Sequence, residues 1–180
     1  MTGRSSKAAR QHKEHAPKSV RCAVLTVSDT RTLATDETGR ILRLRIQRAG
    51  HEVVYYDYVP DRVREVRYCV REAHGPPYRC DLLVINGGTG IAPRDVTVEA
   101  VRGLLDKELP GFGELFRQVS YREIGSAAWL SRALAGTYRG MLVVCLPGSP
   151  EAAILALEKL LLPELGHAVG LLQRKPARHR

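Results

Sequence analysis

Three patterns that would assign a sequence to a class at once are missing here. The four cysteines show no Cys-x-x-Cys spacing, which argues against a zinc site or a disulfide scaffold and favours reduced core residues. No apolar run is long enough to span a membrane. The basic N-terminus has no apolar segment of the kind found in secretory signals. These absences predict a cytoplasmic protein without a membrane anchor.

Two familiar glycine loops are missing as well. The stretch Asn86 to Gly90 contains three glycines, but it does not end in the Gly-Lys-Ser/Thr of a phosphate-binding Walker loop. A dinucleotide fingerprint starting at Gly88 would require glycine where Pro93 stands. A nucleotide-dependent oxidoreductase on a similar sheet is therefore a minor alternative, which failure to bind NAD would remove.

The net charge of +9 is concentrated at the two ends of the chain. Residues 1–18 carry +4 and residues 174–180 carry another +4, which leaves +1 for the body between them. Because charged tails are usually solvated, nucleic-acid binding by the body is not expected. If the tails bound RNA, their removal would abolish a salt-sensitive association.

The chain has the length of one domain, and no internal repeat is present. Residues 1–19 are interpreted as a flexible basic leader, because they contain no hydrophobic period. Residues 20–170 form the predicted domain, and residues 171–180 are interpreted as a basic C-terminal tail.

Strands and helices alternate along the domain. This order predicts a single three-layer α/β domain, with a mostly parallel, doubly wound sheet and helices on both faces. The predicted strands are 22–27, 53–59, 82–85 and 141–146, with a small extra strand at 137–139. The first predicted helix carries the apolar stripe Leu42, Ile46 and Ala49, and the second runs through Val63 and Ala73, where Asp61 can cap it. A third helix opens at Val96. Further helices are predicted at 110–121, 127–133 and 151–162.

The stretch from Leu82 to Thr97 organises the rest of the sequence. Four apolar residues before Asn86 indicate a buried strand. Gly87 to Gly90 after it, named the glycine turn, contain three glycines that permit backbone angles forbidden to other residues. Ligands bind beyond the carboxyl ends of parallel strands, so the polar residues after each strand are candidates for one site. They are Ser28, Asp29, Asp61, Gly87, Gly88, Thr89, Gly90, Arg94, Asp95, Gly148 and Ser149.

These residue types suit a phosphate-rich substrate. Glycine-loop N–H groups hold phosphate oxygens, and Arg94 adds a cation. Mg²⁺ prefers one or two carboxylates together with substrate phosphates and water, which Asp61 and Asp95 provide from neighbouring loops. Taken singly, each aspartate is more typical of a helix cap or a solvated loop residue, so the prediction depends on the two sharing one edge with the glycine turn.

Several ordered segments resemble the MoaB/MogA family of molybdopterin-binding domains, which is shared with gephyrin. The resemblance covers residues 19–170 and implies an α/β homo-oligomer, a trimer or a hexamer. The matching segments are Thr26 to Asp29, Asn86 to Gly90, Pro93 to Thr97, Pro110 to Glu114, Leu130 to Arg132 and Pro147 to Pro150.

The resemblance implies an activity and a set of site residues. Active members transfer AMP from Mg-ATP to the terminal phosphate of molybdopterin. Two important family aspartates fall on Asp61 and Asp95, which are expected to be catalytic and to bind Mg²⁺. Further contacts to molybdopterin or nucleotide are expected from Ser126, Ser131, Arg132, Pro147, Gly148 and Ser149, besides the glycine turn.

One alternative stays open at this point. Some MoaB-type members lack the first acid and are inactive, whereas this chain keeps both; the segment from Glu123 to Ser126 nevertheless looks more like the MoaB branch. A non-catalytic molybdopterin-binding or assembly protein is therefore the second hypothesis. The sequence does not determine whether the oligomer is a trimer or a hexamer, or whether the pathway uses molybdenum or tungsten.

Overall fold

The computed structural model describes residues 16–174. Six strands form one sheet in this range: β1 (Arg21–Val27), β2 (Glu52–Val59), β3 (Leu82–Asn86), β4 (Lys107–Glu108), β5 (Leu134–Tyr138) and β6 (Met141–Leu146). Their order across the sheet is β2-β1-β3-β6-β5-β4. The first three strands and β6 run parallel, whereas β5 is antiparallel to both of its neighbours. The predicted fold class is confirmed.

Helices cover both faces of the sheet. They are α1 (Glu37–Arg48), α2 (Val63–His74), α3 (Thr97–Arg102), α4 (Pro110–Ile124), a 3₁₀ helix (Gly125–Leu130), α5 (Pro150–Ala156), a π-helical turn (Leu157–Leu161) and α6 (Leu165–Leu172). Helices α2 and α3 lie on one face, and the other α-helices pack on the opposite face. None of the helices in residues 16–174 combines the length and the hydropathy needed to cross a bilayer.

Strand β3 is the centre of the core. All five of its residues are buried, and successive side chains enter opposite layers because a strand alternates its side chains. Leu83 and Ile85 pack in the cluster under α2, whereas Leu82 and Val84 pack in the cluster under α1. Each such side chain contributes about 1.5–3 kcal/mol when it is fully buried, so the strand that carries the glycine turn is firmly anchored.

The register of the sheet brings four strand ends to one edge. Val27 of β1 pairs with Val59 of β2, and Asn86 of β3 lies between Thr26 and Leu146. The loops that follow these strands therefore start side by side, although they are far apart in the sequence.

Several predicted elements differ from the observed ones. The extra strand occupies Leu134–Tyr138 rather than 137–139. No α-helix forms at 127–133, because residues 127–130 belong to the 3₁₀ helix and residues 131–133 are an irregular link to this strand. The two-residue strand β4 was not predicted. Edge strands this short have little pattern of their own and are set by pairing with a neighbour. Helix α4 also continues three residues beyond 121.

The C-terminal region holds one more helix than expected. Helix α6 begins after the helix predicted at 151–162, and its last residue, Leu172, lies inside the predicted tail. Its residues Leu165 and Val169 are buried in the core. At the other end, residues 1–15 of the predicted leader lie outside the described range, whereas Pro17 lies against Gly166 of α6.

Two smaller predictions about helix ends were wrong. Asp61 does not cap α2, because the capping position is Arg62 and no side chain accepts a hydrogen bond there. Ala49 is exposed, although it continues the stripe of Leu42 and Ile46, because it lies one residue beyond the end of α1.

Candidate functional site

A cavity of about 220 Å³ lies beyond the carboxyl ends of β1, β2 and β3 and beside the loop after β6. Its walls come from four loops, so segments that are distant in the sequence meet there. Among the sequence-predicted residues it is lined by Ser28, Asp29, Asp61, Gly88, Arg94, Asp95 and Gly148. The structure thus brings both aspartates together at the glycine turn.

Asp61 has an unpaired carboxylate oxygen at this cavity. Its Oδ1 is buried and accepts no hydrogen bond from the described residues, while its backbone N–H donates to Oδ1 of Asp29 over 3.1 Å. Partial burial, followed by the negative charges of Asp29 and Asp95, raises the pKa of Asp61, and the Arg94 guanidinium opposes this shift. A carboxylate oxygen without a donor, among like charges, favours a bound cation.

Asp95 is held by the turn in which it lies. Its Oδ2 accepts the backbone N–H of Ala92 over 2.8 Å, and the carbonyl of Ala92 accepts the N–H of Asp95 over 2.9 Å. A Cβ at Gly90 would lie 2.7 Å from this Oδ2, so a side chain there would displace the carboxylate. The loop therefore orients the Asp95 carboxylate.

Of the glycine turn, Gly88 lines the cavity, while Thr89 and Gly90 follow it outside the lining. The carbonyls of Gly88, Thr89 and Gly90 accept hydrogen bonds from Thr97 and Arg132, whereas the N–H groups of the same three residues have no acceptor within residues 16–174. Three such donors on neighbouring residues suit a phosphate group.

Gly87 behaves differently from the rest of the turn. Its N–H donates to the carbonyl of Leu146 over 3.0 Å, so it continues the sheet and is not available to a ligand. Its φ is +98°, and a Cβ would overlap the carbonyl oxygen of Val27. The expectation that its N–H faces a ligand is therefore corrected: Gly87 lets two strand ends approach each other.

Thr97 is a site residue that sequence reasoning did not single out. It is fully buried, and its Oγ1 has no hydrogen-bond partner in the described range. A Cβ at Gly88 would lie 2.6 Å from Oδ1 of Asp61 and closer still to Oγ1 of Thr97. Two unpaired oxygens thus flank the same glycine. The available signal was the position of Thr97, two residues after Asp95 in the same motif.

Arg31 is a second residue that sequence reasoning missed. It lines the cavity, donates to the carbonyl of Gly148 over 3.1 Å and to Oγ1 of Thr38 over 2.9 Å, and pairs with the buried carboxylate of Asp36 at 3.6 Å. Together with Arg94 it places two guanidinium groups beside the three aspartates of the cavity. A divalent cation would reverse the net charge there from negative to positive, which suits a polyphosphate.

Arg132 does not line this cavity but donates hydrogen bonds to the glycine turn and to the segment that follows it. Its Nε donates to the carbonyl of Gly90 over 2.8 Å, and its Nη2 donates to the carbonyl of Asp95 over 3.0 Å. Its guanidinium also forms an ion pair with Glu99. Partial burial raises the pKa of Glu99, but the hydrogen bond from Arg132, a backbone hydrogen bond and the charges of Arg132 and Arg102 together outweigh it, so the net pKa is lowered.

Four other predicted contacts lie outside the lining of the cavity. Ser149 caps α5 by accepting the N–H of Ala152, and Ser131 lines a separate pocket of about 360 Å³ that Arg132 also lines. Ser126 is exposed on the 3₁₀ helix, and Pro147 is half-buried after β6. Direct ligand contacts by these residues remain predictions.

The proposed metal ligands fit a magnesium ion that the substrate helps to hold. Among residues 16–174 there is no group of three or more His, Cys, Asp and Glu side chains placed to bind a metal alone. Asp61 and Asp95 supply the one or two carboxylates that Mg²⁺ usually takes from protein, with phosphate oxygens and water completing its shell. The unpaired Oδ1 of Asp61 is the position best suited to it.

Comparison with known proteins gives consistent results. Residues 23–167 match the protein family described as probable molybdopterin binding domain. The molybdenum cofactor biosynthesis protein B of Bacillus cereus is 49% identical over 166 residues, which cover 92% of this chain and 98% of that protein.

Solved structures agree in fold. A crystal structure of a molybdenum cofactor biosynthesis protein B matches with a TM-score of 0.85 and 50% identity, covering 89% of this chain and 99% of that one. The tungsten cofactor synthesizing protein MoaB from Pyrococcus furiosus matches with a TM-score of 0.79 and 38% identity, covering 88% and 100%. The chain therefore belongs to the MoaB/MogA family of molybdopterin-binding domains.

Proposed function

We propose that this protein acts in molybdenum cofactor biosynthesis as a molybdopterin adenylyltransferase, transferring AMP from Mg-ATP to the terminal phosphate of molybdopterin. The observation that carries the proposal is the meeting of Asp61 and Asp95 at a cavity beside the unpaired N–H groups of the glycine turn. Membership in a molybdopterin-binding family, and relatives named for molybdenum cofactor biosynthesis, support the choice of substrate.

The reaction is a single displacement at phosphorus. An oxygen of the terminal phosphate of molybdopterin forms a bond to the α-phosphorus of ATP. The bond from that phosphorus to the oxygen shared with the β-phosphate breaks, and the electron pair leaves with pyrophosphate. No covalent bond to the protein is needed. Catalysis then consists of positioning two phosphate chains and offsetting their charge.

The described residues supply both requirements. The N–H groups of Gly88, Thr89 and Gly90 donate to phosphate oxygens, where fixed dipoles stabilise developing charge without reorganising. The Arg94 guanidinium, which is exposed at the cavity mouth, offsets further negative charge. Arg31 holds the loop of Gly148 in place through its hydrogen bond to that carbonyl.

Asp61 and Asp95 are the residues that hold Mg²⁺ in this proposal. When bound, the ion neutralises charge on the reacting phosphate oxygens. The two carboxylates differ in the hydrogen bonds that they already accept. Oδ2 of Asp95 accepts the Ala92 N–H, whereas Oδ1 of Asp61 has no partner in the described residues.

A direct assay tests the proposal. Purified protein is incubated with molybdopterin and Mg-ATP, and AMP transfer and pyrophosphate release are measured. Asp95→Asn is expected to lower turnover by about 100-fold or more, the effect typical of removing one charge-stabilising group. The matched control is Glu123→Gln, an exposed carboxylate on α4 outside this cavity, which is expected to leave turnover unchanged. Unaltered turnover in a folded Asp95→Asn protein would remove Asp95 from the mechanism.

The second hypothesis is a molybdopterin-binding or assembly protein without turnover. It is favoured by the names of the relatives, which are called molybdenum cofactor biosynthesis protein B and not adenylyltransferase. The same assay separates the two: tight molybdopterin binding with no pyrophosphate release supports the binding protein. Retention of both aspartates favours the enzyme.

We also propose that the protein forms a homo-oligomer, as the family resemblance implies. Helix α4 and the 3₁₀ helix expose several large apolar side chains, and exposed apolar groups of this kind typically mark an interface. They are Leu115, Tyr121, Ile124, Trp129 and Leu130, and this set is named the apolar surface.

A further inference from the structure

A larger pocket lies at the opposite edge of the sheet from Asp61. It has a volume of about 680 Å³ and opens where β3 and β6 begin, so the full length of β3 separates it from the glycine turn. Its charged and aromatic lining residues are Arg71, His74, Arg79, Asp81, Tyr138 and Arg139, and it is named the arginine pocket. Nothing in the proposed adenylyl transfer uses these residues.

The positive charge of the arginine pocket is not balanced. Asp81 is the one acidic residue among its lining residues. Its Oδ2 accepts the backbone N–H of Arg21 over 3.0 Å, and its Oδ1 accepts Nε2 of Gln173 over 3.1 Å. Within residues 16–174, none of the three pocket arginines forms an ion pair. Three arginines therefore line one space with a single, already engaged carboxylate, and of the three only Arg71 has its guanidinium in a hydrogen bond within the described residues, to the carbonyl of Arg67 over 3.4 Å.

Two of these arginines occupy backbone positions that disfavour them. Arg79 has a φ of 46° and Arg139 a φ of 49°, in the left-handed region where glycine and asparagine are the usual residues. Arg139 and Gly140 form the two-residue turn between β5 and β6, a turn in which Asn-Gly is strongly preferred. Backbone strain of this kind is concentrated at functional sites, and both strained arginines line this pocket.

One wall of the arginine pocket is also ordered by ring contacts. The His74 ring packs edge-on against Tyr138 at a centroid distance of 5.5 Å, and the Arg139 guanidinium lies 5.7 Å from the centre of the Tyr138 ring. Arg139 is therefore held against the wall, and its planar donors remain available to an anion.

We propose that the arginine pocket binds a small phosphorylated anion of the pyrophosphate or nucleoside phosphate class. Forked guanidinium groups recognise phosphate oxygens through paired, charge-assisted hydrogen bonds. The volume lies within the range of small-molecule sites. The site is separate from the glycine turn and does not depend on the proposed enzymatic activity.

The test measures binding of inorganic pyrophosphate to the full chain by calorimetry at low ionic strength without magnesium. Arg79→Asn combined with Arg139→Asn removes two charges but introduces a residue suited to positive φ. This variant is expected to weaken binding by about tenfold or more while its melting temperature stays equal or rises. Arg64→Gln combined with Arg122→Gln removes the same charge from exposed sites outside the pocket and is expected to bind like the original protein.

Separate outcomes distinguish the possible failures. Binding that survives Arg94→Ala but weakens in the pocket variant assigns the signal to the arginine pocket, because the first change affects only the glycine-turn cavity and the second only the arginine pocket. Equal loss in the two double variants would indicate attraction by net charge alone and would overturn the proposal. Unchanged affinity in the pocket variant would overturn it as well. Binding of a short RNA through the same arginines, without pyrophosphate binding, would replace a small anion with nucleic acid.

Discussion

At the scale of single residues, the surroundings of Asp61 disfavour the ionised form of its carboxyl group. Its pKa is raised in the fold by burial and by the charges of Asp29 and Asp95, so folding favours the protonated form relative to the unfolded chain. The stability contributed by this group is therefore full below the unfolded pKa and is lost as pH rises through the folded pKa. Ionisation of Asp61 is thus less favourable in the fold than in the unfolded chain, and a cation bound at this carboxylate would relieve that penalty.

Removing a neighbouring charge should shift the pH dependence of turnover. Asp29→Asn deletes a like charge but keeps an oxygen that accepts the N–H of Asp61. The pKa of Asp61 is expected to fall, so the acidic limb of the pH–rate profile moves to lower pH. The measurement is kcat/KM for adenylyl transfer across the acidic range, with Glu123→Gln as the control. A limb that stays in place would mean that Asp61 does not need to be ionised for turnover.

Gly88 has no tolerance for a side chain. Its φ is +62° and a Cβ would contact Oδ1 of Asp61 and Oγ1 of Thr97, so Gly88→Ala is expected to destabilise the protein by about 1–3 kcal/mol and to displace Asp61. Gly111→Ala is the matched control, because nothing lies within 4 Å of its Cβ position and a less flexible unfolded chain favours alanine by up to about 1 kcal/mol. Chemical denaturation measures both. Equal effects at the two positions would contradict the role given to Gly88.

At the scale of elements, the site depends on a side chain that joins three of them. Arg132 lies between the 3₁₀ helix and β5, donates to two carbonyls of the glycine loop, and pairs with Glu99 on α3. Hydrogen bonds from charged donors are stronger than neutral ones. These contacts hold the loop in shape, although its own sequence is rich in glycine.

Arg132→Lys should loosen that loop. Lysine keeps the charge but cannot reach two carbonyls and a carboxylate in one plane, so a loss of about 1–2 kcal/mol of unfolding free energy is expected, together with a higher KM for ATP. The control is Arg102→Lys, which alters an exposed pair with Glu108 and should cost at most about 1 kcal/mol. Urea unfolding and steady-state kinetics measure the two effects. Equal destabilisation in both variants would show that Arg132 contributes only a surface pair.

The elements that sequence analysis predicted well are those with a strong local pattern. The buried runs at β1, β3 and β6 and the apolar stripe of α2 carry enough repeated signal to be recognised. Strand β5 was predicted too far along the chain. Strand β4 was missed because Lys107 and Glu108 become a strand only through pairing with Gly136 and Thr137. Helix α6 was missed because its burial depends on a groove formed by other elements.

At the scale of the whole molecule, the side chains of the apolar surface are exposed to water in a single chain. The exposed fraction is 72% for Trp129 and 61% for Ile124. Ile124→Glu with Trp129→Glu is expected to lower the oligomeric mass, because charges at an interface core oppose association. Light scattering coupled to size exclusion measures the mass. Leu33→Glu, which changes an exposed residue outside the apolar surface, is the control, and a wild-type mass in the double variant would contradict the proposed interface.

The sequence by itself determined the alternation of strands and helices, the glycine turn after β3 and the acids that follow two strands, because these depend on neighbouring residues and on the rule that parallel strands end at one edge. Only the tertiary structure decided that Thr97 and Asp61 both lie against Gly88, that Arg31 lines the cavity, and that the Gly87 N–H belongs to the sheet. Those facts arise from the packing of separate strands, whose register and spacing no local pattern encodes.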